Sequence, residues 1–257
     1  MEFVAYTKED QIGYIVLNRP EKRNALNYAV VTELKAAFTQ ASQDAEVKVV
    51  VLKANGKVFC AGADLAYLQQ LQQNSSQENL KDSNHLKELF YQIYTLNKVV
   101  IAQVHGHAIA GGCGLASVCD FVFTVPDAKF GYTEVRIGFI PAIVTVFLLR
   151  RIGEMKAREL LLTGELITAT EAKDYGLVNK IVNTADLEKE VKDFSRLLIT
   201  KNSGQSMELT KQMIAKVQSM TLEEGLKYTA EMNALARGSS DCQKGIAAFL
   251  NKEEVKW

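Results

Sequence analysis

The stretch GHAIAGGCGLASVCD, residues 106–120, decides how the chain is read. It follows the apolar run VVIAQV at 99–104 and feeds a second, VCDFVFTV at 118–125. Between them Gly111, Gly112 and Gly114 fall within four positions. A β-branched run, a small-residue bend and then the helix-like LASVCD describe a buried strand turning into a helix. Glycines in such a bend allow something to come close to the main chain. Free N–H groups at the helix start can hold a developing negative charge. The bend is not a dinucleotide fingerprint: from Gly112 the text reads G-C-G-L-A-S, without the last glycine, and no Walker lysine follows.

Working outward, VFCAGADLAYL at 58–68 repeats the pattern of apolar strand, small-residue bend and apolar helix. The two bends together can supply two N–H donors, although tight chain packing explains either one alone. IGYIVL at 12–17 and KVVVL at 48–52 add buried strands. After Asn27, a fitting N-cap, the residues Val31, Leu34, Phe38 and Ala41 recur at helical spacing. The sum is a layered α/β core. Beyond residue 140 only LVNKIV, 177–182, reads as strand. Thr168 with Glu171 and Thr221 with Glu224 form capping-box patterns, and Leu187, Val191, Phe194 and Leu198 give an apolar stripe. The expected organisation is a core over 1–190 and a helical region over 191–257 of the same domain. The polar segment QQLQQNSSQENLKDSN, 69–84, reads as a mobile surface loop, with a lid over a ligand as the alternative.

Thirty Lys and Arg balance thirty Asp and Glu, so no global field favours nucleic acid or an anionic membrane. No signal-peptide pattern and no apolar stretch of bilayer length is present, which points to a cytoplasmic protein without a membrane partner. Cys60, Cys113, Cys119 and Cys242 form no CxxC pair and have no histidine at zinc-ligand spacing, so they read as buried thiols and no metal is expected.

Five stretches carry a resemblance: NRPEKRNAL (18–26), VFCAGADL (58–65), GHAIAGGCGLASVCD (106–120), AKFGYTEVRIGFIPA (128–142) and ARELLLTGELITATEAKDYGLVNKIV (157–182). Together with DCQKGIAAFLNK at 241–252, they resemble the crotonase superfamily of enoyl-CoA hydratases and isomerases. The resemblance implies a ββα spiral core with a C-terminal helical trimerisation region, a homotrimer or homohexamer, and an acyl-CoA substrate with no separate cofactor. It implies that the thioester oxygen lies between the amides of Ala63 and Gly111. Ala61, Asp64, Leu65 and Ala66 fall on the stretch lining the coenzyme A path, with Lys22, Arg23 and Ala25 at its nucleotide end. Tyr67, Gly114 and Pro141 fall on the substrate pocket.

Two-glutamate hydratases of this superfamily carry one Glu three residues after the oxyanion glycine and another twenty residues later. This chain has Gly114 at the first position and Glu134 at the second. A lone carboxyl in an apolar pocket suits an isomerase or the protonation half of hydration. A hydratase would need a substitute base: another carboxylate, His107, Tyr67 or the substrate's own carboxylate. His107 itself reads as a structural imidazole. Where many relatives have a PGAGG turn, this chain reads Pro141, Ala142, Ile143 and Val144, which implies a bulkier, drier wall. The motifs are closest in feel to the bacterial methylglutaconyl-CoA hydratases of leucine breakdown, with Arg136 as candidate partner of a distal carboxylate. Three functions stand at this point: hydration of a 2-enoyl-CoA, Δ3,Δ2-enoyl-CoA isomerisation, and a non-catalytic crotonase-fold binding protein.

Overall fold

The computed structural model describes residues 1–257. Strands β1 (Val4–Glu9) and β2 (Ile12–Leu17) form an antiparallel hairpin. Asp10 and Gln11 turn it with φ of 52° and 64°, the left-handed pair that two-residue hairpins require. Helix α1 (Tyr28–Gln43) starts where the Asn27 side chain accepts a hydrogen bond from Val30 N at 2.9 Å, and its buried face carries Val30, Val31, Leu34, Ala37, Phe38 and Ala41. Then come β3 (Val49–Ala54), α2 (Leu65–Leu71), α3 (Ser76–Tyr94), β4 (Val99–Val104), β5 (Ala108–Ile109), α4 (Gly111–Ser117), β6 (Phe121–Thr124) and β7 (Lys129–Gly131).

The remainder is largely helical: α5 (Ala142–Thr163), β8 (Ile167–Thr168), α6 (Ala169–Asp174), β9 (Lys180–Ile181), α7 (Leu187–Lys201), α8 (Gly204–Val217), α9 (Leu222–Arg237) and α10 (Ser240–Asn251). The main sheet runs β1-β2-β3-β4-β6-β9, parallel from β2 onward, and β5-β7-β8 form a second, three-stranded sheet. All six residues of β2 and of β4 are buried, as continuous apolar runs demand when a strand is covered on both faces. This is the expected α/β spiral with a helical C-terminal region.

Three sequence expectations change. The polar segment 69–84 is not a loop. Its second half is the start of α3, because Ser75 and Glu78 close a reciprocal capping box, and Leu89, Phe90 and Ile93 anchor the helix in the core. The helix after the glycine bend begins at Gly111 itself rather than at Leu115, since small residues leave its first turn free to pack against the neighbouring chain. Cys242 is half-buried on α10, whereas burial pushes the thiols of Cys60, Cys113 and Cys119 up to about 12.

The division expected after residue 190 falls inside α7, which carries the foreseen stripe of Leu187, Val191 and Leu198 into the core. Both capping boxes named from sequence, Thr168/Glu171 and Thr221/Glu224, are formed. Helix α9 buries no residue, and Leu222, Leu226, Phe249 and Leu250 of α9 and α10 are each more than half exposed, up to 83% at Phe249. No helix is long and apolar enough to cross a membrane.

Candidate active site

The two glycine bends are joined by main-chain hydrogen bonds. Phe59 N donates to His107 O at 3.1 Å, and Ile109 N donates to Cys60 O at 3.0 Å. Leu26 N donates to Gly62 O at 2.7 Å and Asp64 N to Leu26 O at 2.8 Å, which fixes the first bend against the chain entering α1. The bends touch. A Cβ placed on Gly62 would lie 3.2 Å from Gly111 N, and one placed on Gly112 would lie 2.2 Å from Cys60 O. Only glycine fits at 112. The Ala63 amide, next in chain after Gly62, donates to no protein acceptor, and the Gly111 amide opens α4 and so has no intrahelical partner.

Ala110 is held at φ 53° and ψ −128°, a conformation disfavoured for a residue with a Cβ. Its own amide donates to Gly131 O at 2.7 Å, so the parallel pairing of β5 with β7 clamps the strained residue just before Gly111. Glu134 follows three residues past Gly131 of that pairing, near enough to α4 for its charge to act on Cys113. Glu134 opens a short 3-10 turn (Glu134–Ile137), and its Oε2 is buried with no hydrogen-bond partner. Burial raises its pKa above the usual carboxylate range. Burial foremost, with the nearby Glu134 charge contributing, also pushes up Cys113 on α4.

The position expected to lack a carboxylate is closed. A Cβ at Gly114 would stand 2.2 Å from Val144 Cγ1 and 3.0 Å from Phe90 Cε1. Gly114 is itself buried, whereas Gly111 and Glu134 keep partial exposure. Pro141 stands at the N-cap of α5, three residues before Val144.

The side chains expected along the coenzyme A path divide. Asp64 is fully engaged: Oδ1 caps α2 by accepting from Ala66 N at 3.0 Å and Tyr67 N at 3.4 Å, while Oδ2 accepts from Arg19 Nη1 at 2.8 Å. Burial alone would push this carboxyl up, but the Arg19 guanidinium and the two amides hold it below its ordinary value. Leu65 and Ala66 are exposed beside the bend; Ala61 N donates to Arg23 O at 3.1 Å, and Ala25 is buried. Lys22 and Arg23 are exposed, Arg23 with a left-handed φ of 52°.

Tyr67 gives its hydroxyl proton to Asp82 of α3, which leaves the phenol bonded away from the bends as a donor. His107 Nδ1 accepts from Lys129 N at 3.2 Å, a structural contact. Arg136 pairs at 2.5 Å with Glu165 in a solvent-exposed bridge.

Three positions escaped the sequence reading. Arg19 holds Asp64, Asn24 ties its loop to Asn55 O and Val58 O at 2.8 Å each, and Ala110 carries the strained turn. The Asn24 position was within reach, because Asn tolerates the left-handed φ of 54° that this turn needs. A cavity of about 850 Å³ lies between the core and the C-terminal helices, lined by Tyr94, Phe147, Met207, Ile246 and Trp257, and it touches neither bend nor Glu134.

A spiral of parallel strands with two facing glycine bends and one desolvated carboxyl places the molecule in the crotonase superfamily of α/β enzymes. The chain belongs to the enoyl-CoA hydratase/isomerase family, whose profile matches residues 7–257, and it is an enzyme of that family, of the lyase class. A relative from Thermus thermophilus is 41% identical over 97% of this chain and 98% of its own. The crotonyl-CoA hydratase of Syntrophomonas wolfei is 34% identical, covering 100% of this chain and 98% of its own. The crystal structure of an enoyl-CoA hydratase from Mycobacterium smegmatis superposes with a TM-score of 0.93 at 29% identity, over 99% of this chain and 98% of that one.

Proposed function

We propose that the protein adds water across the double bond of a 2-enoyl-CoA. The thioester oxygen is received by the Ala63 and Gly111 amides, which carry the negative charge of the enolate as it forms. With His107 and Tyr67 bonded elsewhere, Glu134 serves as both base and acid: its carboxylate takes a proton from the attacking water while the hydroxyl bonds to Cβ, then delivers that proton to Cα, so no substitute base is needed. The observation that carries this reading is the Glu134 oxygen, buried and unpartnered, on a carboxyl whose charge reaches Cys113 of α4. Wild-type protein mixed with crotonyl-CoA should bleach the enoyl absorbance. No loss with either crotonyl-CoA or 3-methylglutaconyl-CoA would remove the hydratase reading.

One observation favours a second reaction. Val144 and Phe90 close the space beside Gly114, so a single carboxyl serves the site, and one carboxyl suffices to carry a proton between Cα and Cγ of a 3-enoyl-CoA. Turnover of a 3-enoyl-CoA without any water addition would select isomerisation. Branched dicarboxylic 3-methylglutaconyl-CoA is the particular substrate suggested by the motifs; Arg136, already bonded to Glu165, lends it no support. The non-catalytic reading has no observation in its favour. For assembly we infer a homotrimer or homohexamer, because the exposed Leu222, Leu226, Phe249 and Leu250 give α9 and α10 an apolar surface that calls for a partner. Light scattering at the mass of a single chain would refute it.

A further inference from the structure

Gly114 lies one helical turn beyond Gly111 and on the same side of α4, since residues three apart on a helix are neighbours. Three elements meet there. A Cβ on Gly114 would sit 2.2 Å from Val144 Cγ1 and 3.1 Å from Val144 Cβ on α5, and 3.0 Å from Phe90 Cε1 on α3. Phe90 is fully buried and Val144 is 5% exposed. Phe90 is backed in turn by Phe147, with ring centroids 6.0 Å apart, so Phe90 has little freedom to move away, and Val144 is itself buried. Gly111, Glu134 and Ile143 above this junction keep partial exposure. The surface beside the bend therefore ends on a hydrocarbon floor made by one side chain that occupies another residue's missing one.

A thioester whose oxygen meets the Gly111 amide has its β-carbon three bonds from that oxygen, within the rise of about 5.4 Å that one helical turn spans. That reach is enough for the β-carbon to lie over the 114–144 contact, one turn along the same side of α4. We propose that Val144 is a specificity-determining residue: its side chain, held by Phe90, sets how much bulk the acyl β-carbon can carry, and positions 114 and 144 are sterically coupled. The proposal rests on the reading that Gly111 receives the thioester oxygen.

The test uses butyryl-CoA and isovaleryl-CoA, saturated thioesters that cannot be hydrated and that differ by one methyl at the β-carbon. Calorimetric titration is applied to the wild type, Val144→Ala, Gly114→Ala and the double variant, with the melting temperature of each. Val144→Ala should shift the isovaleryl-to-butyryl affinity ratio about tenfold toward the branched chain, the order of effect one methyl has in an apolar pocket. Gly114→Ala should lower the melting temperature, and adding Val144→Ala should restore most of the loss. An unchanged ratio in Val144→Ala, or melting-temperature effects that simply add, would overturn the proposal. Absence of binding of either thioester by the wild type would instead overturn the underlying placement at Gly111, a result distinct from unaltered selectivity in a protein that binds.

Discussion

Replacing Glu134 by Gln keeps the shape of the side chain and removes its ability to exchange a proton. With a single carboxyl at the site, no neighbour substitutes: Asp64 is held by Arg19 and the cap of α2, and Tyr67 is committed to Asp82. General acid–base catalysis contributes about 10²–10⁴-fold, so kcat should fall by that factor. KM should change little, because the amides proposed to hold the thioester are untouched. Stability should move the other way. Glu134 is half-buried with one oxygen unpartnered, and an uncompensated buried polar group costs about 1–3 kcal/mol. Partial solvent screening puts the relief from removing the charge near the low end, about 1 kcal/mol, or ~2–4 °C in a chain of this size.

The pH dependence follows from the direction of the shift. Burial raises the Glu134 pKa in the folded state, so between its unfolded and folded values the folded protein binds more protons than the unfolded one. The wild type therefore loses stability as pH rises through that window, and Glu134→Gln does not. The variant should melt higher than the wild type at pH 7, and the gap should close below about pH 4, where the carboxyl is protonated in both states. Wild-type turnover should fall on acidification with a midpoint above that of a free Glu, since the ionised form accepts the proton. The measurements are steady-state kinetics from pH 4 to 8 and calorimetric melting from about pH 3 to 8. Retention of more than about a tenth of wild-type kcat by the variant would refute the role given to Glu134.

Three further outcomes are expected. Gly112→Ala puts a methyl 2.2 Å from the Cys60 carbonyl, a backbone group that cannot step aside, so it should cost at least the upper end of about 1–3 kcal/mol in a denaturant titration. Asp64→Ala removes the α2 cap and the Arg19 partner, and should cost about 1–2 kcal/mol at pH 7. Because that carboxyl titrates below its ordinary value, the wild-type advantage should be complete at neutral pH and be lost as acidification passes from the ordinary carboxylate value down through the depressed one. Arg136→Ala breaks an exposed bridge worth about 1 kcal/mol or less, and should leave the ratio of kcat/KM for crotonyl-CoA to that for 3-methylglutaconyl-CoA unchanged. A selective loss with the dicarboxylic substrate would restore Arg136 as its partner.

The bends and the sheet were legible because their signals are local: β-branched runs, small-residue turns and capping residues act within a few positions. The start of α3 is equally local, but the polar composition of 69–84 masks the Ser75–Glu78 capping box. Arg19 with Asp64 and Val144 with Gly114 could not be read this way. Those partners are 45 and 30 residues apart, and their contact exists only once the spiral closes. This changes the meaning of a missing residue. In the sequence Gly114 is the loss of a carboxylate, which invites a search for the base that replaced it. In the fold there is no room beside Gly114 for that search to fill, because Val144 has taken the volume. A carboxylate restored at 114 alone would be driven into a hydrocarbon junction, where burying an unpaired charge is costly. Packing thus closes position 114 to a carboxylate, and opening it requires positions 114 and 144 to change together.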